Sequence, residues 1–429
     1  MGPEQAAMSK DTSHLDILLQ GVEAFNAWRE DNPEEIPDFT RVEFLPTAFK
    51  DTGLWSQELA MIDLRGINLR EAKLPWVKME LVSLAEADLE FAHLRSARIV
   101  GCNLRAAKMT GASLADSFLD DVYLRHAVLR EAVFTSARLE RCNLADCDLS
   151  MANLVHAALI DLDMRGVVLN KMVFTRGIMQ ACLLNGAEIK DADLREAELF
   201  DSIFRRASLE RSDFDGARLD RAVLYGASLR DAGLNKASLF QADLRHSHLE
   251  RANLRGADLR KADMQNADLR ETKVSSVRYD RWARYEGIRL EGCYGGPQFE
   301  RFAKDQEFIE EVRGDREQAR YWLIYLPWLV SSDCGRSLGL WAMWSLLLAA
   351  AFGYKFWLMG PGHFDVARLE FTLSTMVYYS IVTFTTLGFG DIVPTTSKAA
   401  MWVTIEVIVG YVMLGGLIAI FSNKLARRS

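Results

Sequence analysis

Apolar residues recur at every fifth position from Leu64 to Val274, forty-three in succession, each of them Leu, Ile, Met, Phe or Val. Two residues ahead of each runs a second series of small residues, mostly Ala with a few Ser, Cys or Val, as at Ala72, Ala87, Ala92, Cys102, Ala107, Ala112 and Ser117. A period of five is neither the 3.6 of a helix nor the 2 of a strand, and an internal repeat of this kind predicts a solenoid. The same period continues more weakly toward the amino terminus at Phe39, Phe44, Phe49, Leu54 and Leu59, without the small partners. Outside the repeat the pattern turns helical. Residues 14–30 carry apolar positions at helical spacing and predict a helix covering the open edge of the first coil, which would otherwise invite pairing with other chains. Residues 297–322 predict an amphipathic helix through Phe299, Phe302, Phe308, Ile309 and Val312. Residues 321–330 are aromatic and apolar but too short to cross a bilayer, so they predict a helix lying at a membrane interface.

The carboxyl-terminal quarter follows a third pattern. Residues 337–358 hold one charge, Lys355, near one end and are long enough to span a bilayer. Trp341 and Trp344 at one end and Phe356 and Trp357 at the other suit aromatic belts. A second span covers 399–425. Between them the apolar stretch 371–384 is too short to cross and suits a re-entrant helix. The heptapeptide Thr385-Thr386-Leu387-Gly388-Phe389-Gly390-Asp391 follows it directly.

That heptapeptide resembles the selectivity filter of potassium channels, usually written TTVGYGD. Its flanks, Tyr378-Tyr379-Ser380-Ile381-Val382-Thr383-Phe384 before and Asp391-Ile392-Val393-Pro394 after, resemble the two-transmembrane potassium-channel module over residues 336–429. The resemblance implies an outer helix, a pore helix, a filter at 385–391 and an inner helix. Backbone carbonyls of Thr386, Leu387, Gly388, Phe389 and Gly390 would replace the hydration shell of K+, the only metal ion expected. Gly388 and Gly390 can take the left-handed dihedrals that aim successive carbonyls at one axis, and the Thr386 hydroxyl can add a ligand ring. Leu387 stands where Val is usual and Phe389 where Tyr is usual. Neither change removes a coordinating atom, although Phe389 lacks the hydroxyl that would bond toward the pore helix. Thr385, Asp391, Tyr379 and Glu406 are the residues expected to support the filter.

One pore loop per chain, in a family whose filter takes four, implies a homotetramer. By resemblance Gly410 is a hinge candidate, with close helix packing as the other reading. Helical spacing from Gly410 puts Leu414, Leu417 or Ile418, and Phe421 on one face, so that Phe421 would narrow the pore. Glu406 lies four residues before Gly410, where a carboxylate is expensive and by default functional. It either lines the cavity or bonds to the pore helix behind the filter, and its closeness to filter level favours the second.

The repeat itself, with the form A(D/N)LRX at Ala252-Asn253-Leu254-Arg255-Gly256 and Ala257-Asp258-Leu259-Arg260-Lys261, resembles the pentapeptide-repeat family. The implied fold is a right-handed quadrilateral β-helix with four repeats per coil. Five residues per side let each side turn one large and one small apolar residue inward, and stacked coils would make a rod on the order of 50 Å long. The expected organisation is therefore multidomain: an N-terminal segment with its capping helix (1–36), the β-helix (37–274), a linker with amphipathic and interfacial helices (275–335) and an α-helical pore domain with a re-entrant pore helix (336–429).

Charge and cysteine usage narrow the classes further. The chain carries 51 Lys and Arg against 59 Asp and Glu. Residues 336–429 hold seven basic and four acidic residues, so the acidic excess lies in the remainder, which argues against binding nucleic acid through phosphates. An acidic rod of this family can mimic DNA, and a membrane-anchored DNA mimic or scaffold is one rival reading; a non-selective cation channel is the other. Cys102, Cys142, Cys147 and Cys182 fall on the small series, where Cys replaces Ala, so no disulfide framework is expected. Arg336 before the first span, and Lys424, Arg427 and Arg428 after the second, put both termini in the cytoplasm of a multi-pass protein of the inner or plasma membrane. No nucleophile elbow, phosphate loop or metal-ligand spacing is present, so neither an enzyme nor a cofactor is expected. The expected partners are membrane lipids, three further copies of the chain and a cytoplasmic partner for the repeats. With no arginine-spaced helix before the pore, any gating would come from the cytoplasmic side or from the filter.

Overall fold

The computed structural model describes residues 13–314, 321–335, 337–366 and 369–426. Arg336, Arg427 and Arg428, on which the expected orientation rests, and the patternless residues 1–10 lie outside them. The chain divides into two units, Met1–Glu307 and Phe308–Ser429.

The first unit is a β-solenoid. Parallel bridges join each residue to the one twenty positions on, in four columns five residues apart, as in Asn68 to Asp88, Lys73 to His93, Lys78 to Arg98 and Ser83 to Asn103. All the fifth-position residues from Leu64 to Val274 are buried, and the small series is buried beside them. Large and small residues alternate inward because a narrow four-sided interior leaves room for one of each per side. Where the small residue is polar, its hydroxyl is spent on a backbone carbonyl: Ser117 Oγ donates to Leu114 O (2.6 Å) and Ser202 Oγ to Met179 O (3.1 Å). Cys102, Cys142, Cys147 and Cys182 are buried in the same way, and burial pushes each thiol up to about 12. These thiols are therefore inert packing groups.

At the corners the chain turns through the left-handed region two residues after each central apolar residue, as at Glu71 (φ 61°), Leu81 (φ 52°) and Phe91 (φ 57°). An L side chain there costs about 1 kcal/mol, offset because each corner amide is bonded to the next coil, for example Glu71 N to Glu90 O at 2.8 Å. Where a corner is glycine, it can also leave room for the neighbouring coil. A Cβ on Gly111 (φ 67°) would sit 2.6 Å from the Phe91 ring of the preceding coil.

Both ends of the solenoid are closed by helices. The predicted helix over 14–30 is broken in two, α1 (His14–Leu18) and α2 (Val22–Asp31), because Gly21 between them takes φ 119°. Leu18 and Phe25 are buried in the solenoid core. Asn26 supplies what a missing strand would supply: its amide donates to Gly66 O (2.9 Å) and its carbonyl accepts from Asn68 N (2.8 Å). Phe39, Phe44, Phe49 and Leu54 are buried and extend the core. Here Asp38 pairs with Lys73 and Glu43 with Lys78, thirty-five positions on, because α3 (Pro46–Phe49) and the turns after it are inserted.

At the other end the coil runs past Val274. Asp263 bridges Arg284 and Asp268 bridges Arg289, a step of twenty-one, so one extra residue near Asp280 interrupts the period without ending the solenoid. The helix α4 (Pro297–Arg313) then lays Phe299 and Ala303 on the last coil, with the Phe302 ring 4.8 Å from Tyr279 and 5.9 Å from Tyr285.

The second unit is helical. A five-residue π-helical turn, Tyr321–Tyr325, leads into α5 (Leu326–Ser332), and Trp322, Leu323, Ile324 and Val330 leave apolar surface exposed. Then come α6 (Leu338–Met359), α7 (Leu373–Phe384) and α8 (Ser397–Ala426). By length and composition α6 and residues Ser397–Ser422 of α8 could each cross a membrane, and α7 is too short.

Candidate functional site

The loop Thr385–Asp391 hangs between α7 and α8, and glycine and small residues set how closely the three long helices approach. A Cβ on Gly353 of α6 would stand 2.6 Å from Val377 Cα of α7, and one on Gly410 of α8 would collide with Phe384 O. Gly410 thus sits in close contact with α7 within an unbroken helix. Gly416 seats the Trp341 ring, and Trp341 Nε1 donates to Met413 O at 2.7 Å. Such contacts let helix backbones meet without relying on the exclusion of water.

Glu406 is fully buried, and its Oε1 meets Ser380 Oγ on α7. The contact joins α8 to α7. The Tyr379 ring packs with Phe356 and Phe364, at 5.8 and 5.7 Å between centroids. The neighbouring Tyr378 is close enough to Asp391 for the two side chains to interact. The segment after the loop is held by an antiparallel pair, Phe364–Asp365 with Val393–Pro394, and by His363 Nδ1 at 2.7 Å from Thr396 Oγ1.

The loop begins as the cap of α7. Thr386 N donates to Thr383 O (3.0 Å) and Leu387 N to Val382 O (2.9 Å), with Thr386 at φ 60°, the bonding pattern of a Schellman cap. Gly388 (φ 52°) and Gly390 (φ 76°) take the left-handed region, as the spacing predicts. Thr386 joining them was not foreseen, since a β-branched residue seldom does so. The Leu387 and Phe389 side chains are 62% and 65% exposed on the single chain. Phe421, eleven residues beyond Gly410 and so about 16 Å along α8, is half exposed.

Family comparisons address both units. A model described as pentapeptide repeats matches in eight copies, over residues 87–125, 107–145, 132–170, 202–239 and 237–275, and a model described as ion channel matches residues 342–427. The chain fuses pentapeptide repeats to an ion-channel domain. No curated protein matches it.

Among solved structures, the repeat region is similar to HetL, a pentapeptide repeat protein involved in heterocyst differentiation regulation from the cyanobacterium Nostoc sp. strain PCC 7120. The two are 28% identical over 47% of this chain and 88% of that one, with a TM-score of 0.33. It is also similar to the pentapeptide repeat protein Rfr23 from the cyanobacterium Cyanothece 51142, at 28% identity over 24% and 64% of the respective chains and a TM-score of 0.14. QnrB1, a plasmid-mediated fluoroquinolone resistance protein, matches at 15% identity over 46% and 88%, with a TM-score of 0.26. Ion-channel and pentapeptide-repeat families are not enzyme families, and an ion-channel domain with two apolar helices places the protein at a membrane.

One side-chain cluster on the solenoid, His248, Glu250 and Asp268, has the spacing of a metal site. Arginines already fill it: Arg270 meets Asp268 at 2.7 Å and Arg230 meets Glu250 at 3.0 Å. It is an ion-pair network, and the same chemistry recurs along the coils. Arg211, Arg221 and Arg251 each grip an aspartate twenty residues earlier, and Arg65, Arg165 and Arg195 one two residues earlier.

Proposed function

We propose that the chain is one subunit of a tetrameric potassium-selective channel, with Thr386 to Gly390 as the ion-binding filter and the solenoid on the cytoplasmic side in an assembly or regulatory role. The observation that carries the reading is the filter sequence at the carboxyl end of a short helix between two apolar helices, with Gly388 and Gly390 in the dihedral region that turns carbonyls to one side. The negative end of the α7 dipole enters this loop, which favours a cation there. Exposed Leu387 and Phe389, together with Tyr411, Ile418 and Phe421 on α8, are apolar surface suited to further copies of the chain around one axis. Free cysteines throughout suit a reducing compartment for the solenoid.

The test is potassium and sodium flux into liposomes holding the purified protein. Potassium flux well above sodium flux, abolished by Gly390→Asp, is the expected result; unchanged flux in that variant would remove the filter assignment. Equal flux of the two ions would replace it with a non-selective cation channel. The DNA-mimic reading has less support, because the solenoid's carboxylates are repeatedly engaged by arginines and do not present an uninterrupted anionic surface.

A further inference from the structure

We propose that Glu406 carries its proton and donates it to Ser380, so that α8, α7 and α6 are tied by one directional hydrogen-bond chain running from Glu406 through Ser380 to the Ala349 carbonyl.

The argument is a count of hydrogens. Ser380 Oγ lies 2.6 Å from Ala349 O in α6 and also meets Glu406 Oε1 in α8. A serine hydroxyl has one hydrogen to give and lone pairs to receive with, whereas a backbone carbonyl can only accept. At the Ala349 contact the hydrogen must therefore come from Ser380. The Glu406 contact then needs a hydrogen of its own, and only the carboxyl group can supply it. With an ionised Glu406 one of the two contacts would become oxygen against oxygen with no proton between them.

Surroundings point the same way. Glu406 is 0% exposed and its Oε2 has no hydrogen-bond partner. A full charge with one oxygen unpaired is far costlier there than the neutral carbonyl of an acid. Among the described residues no ion pair involves Glu406. Lys355, the ammonium nearest in sequence on α6, lies over the Trp402 ring at 5.2 Å. From α7 the adjacent titratable group is Tyr379, an acid that brings no positive charge.

The chain of bonds exists because its neighbours are small. Gly353, one turn after Ala349, and Gly410, one turn after Glu406, bring α6 and α8 against α7 on either side of Ser380. In this arrangement Ser380 and Glu406 are positioning residues: they fix the pore helix, and through it the loop, without touching an ion. That last clause rests on the proposed channel function; the proton assignment does not.

The experiment uses the full-length protein in lipid. At neutral pH ordinary surface carboxyls are ionised, so the infrared carbonyl band of a protonated carboxylic acid reports buried acids alone. The wild type is expected to show such a band, lost in Glu406→Gln and shifted in Ser380→Ala. Glutamine is a neutral donor of nearly the same shape, so Glu406→Gln should keep the oligomer's heat resistance and potassium flux within about threefold of wild type. Glu406→Leu and Ser380→Ala should lower both by about tenfold, the equivalent of one buried hydrogen bond. No acid band in the wild type, or Glu406→Gln as damaging as Glu406→Leu, overturns the proposal. If the leucine variant fails to fold, the bands of wild type and Ser380→Ala still decide it. A wild type that passes no potassium would sink the channel reading and leave the infrared result standing.

Discussion

The two units reach stability by opposite routes. In the solenoid one rule is applied again and again: a large and a small apolar residue point inward on each side, and backbone bonds between residues nineteen or twenty-one apart lace each coil to the next. A side chain there has near-equivalents above and below it. In the channel unit the helix contacts are singular. Gly353, Ser380, Gly410 and Trp341 each do something no other residue repeats, while much of the apolar surface of α6 and α8 stays uncovered. Repetition spreads the consequence of a defect over neighbouring coils, whereas a set of unique contacts concentrates it.

The sharpest way to break this comparison is to put bulk at one unique contact. Gly353→Leu should abolish the native packing of the channel unit, because the obstacle is the Val377 backbone, which no rotamer change can move. The solenoid should be untouched; limited proteolysis of the full chain would show cleavage confined to residues beyond 307. A truncation in the solenoid core comes next. Leu224→Ala should cost about 2–5 kcal/mol, yet leave the fold in place, with faster amide exchange centred on the flanking Phe204 and Leu244 coils. Loss of exchange protection along the whole solenoid would mean that its coils do not behave as near-independent neighbours.

Smaller again is the end cap. Asn26→Ala removes two hydrogen bonds to the open edge and should cost about 1–3 kcal/mol, read as a lower melting temperature and faster exchange at Asn68. The smallest effect should be acid. The Arg65, Arg165 and Arg195 guanidiniums hold the Asp63, Asp163 and Asp193 carboxyls below their usual range. A lowered native value means that the stabilisation is complete above the ordinary carboxylate value of about 4 and is lost as pH falls through the lowered one. The melting temperature of the solenoid should therefore hold steady from pH 7 to 5 and decline gently below 4. A loss that began near pH 6 would point to other groups.

What could be read in the sequence follows the same division. The five-residue period exposed the solenoid because its geometry is local and repeated, and Leu64 to Val274 all lie where that period places them. Its two ends were read less well. The extra residue near Asp280 looked like the end of the repeat, although the bridges resume one position later, and the break at Gly21 was invisible to helical spacing. In the channel unit the heptapeptide stood out because its pairing of threonines with alternating glycines resembles a known filter pattern. Ser380, Ala349 and Gly353 did not, because a serine or glycine in an apolar helix carries no signal until the neighbouring helix is set against it.

The twenty-residue bridge also sets a unit of change in length. Removing or duplicating one full coil returns every inward residue to its side and every amide to a carbonyl, so the solenoid can grow or shrink in whole steps of about 5 Å with both helical ends intact. A change of a few residues has no such neutral form unless it falls at a corner, as the single addition near Asp280 does. A gene encoding this fold can thus tune the reach of the domain by copying blocks of sixty nucleotides, a digital adjustment that the channel unit, built from contacts used once, does not possess.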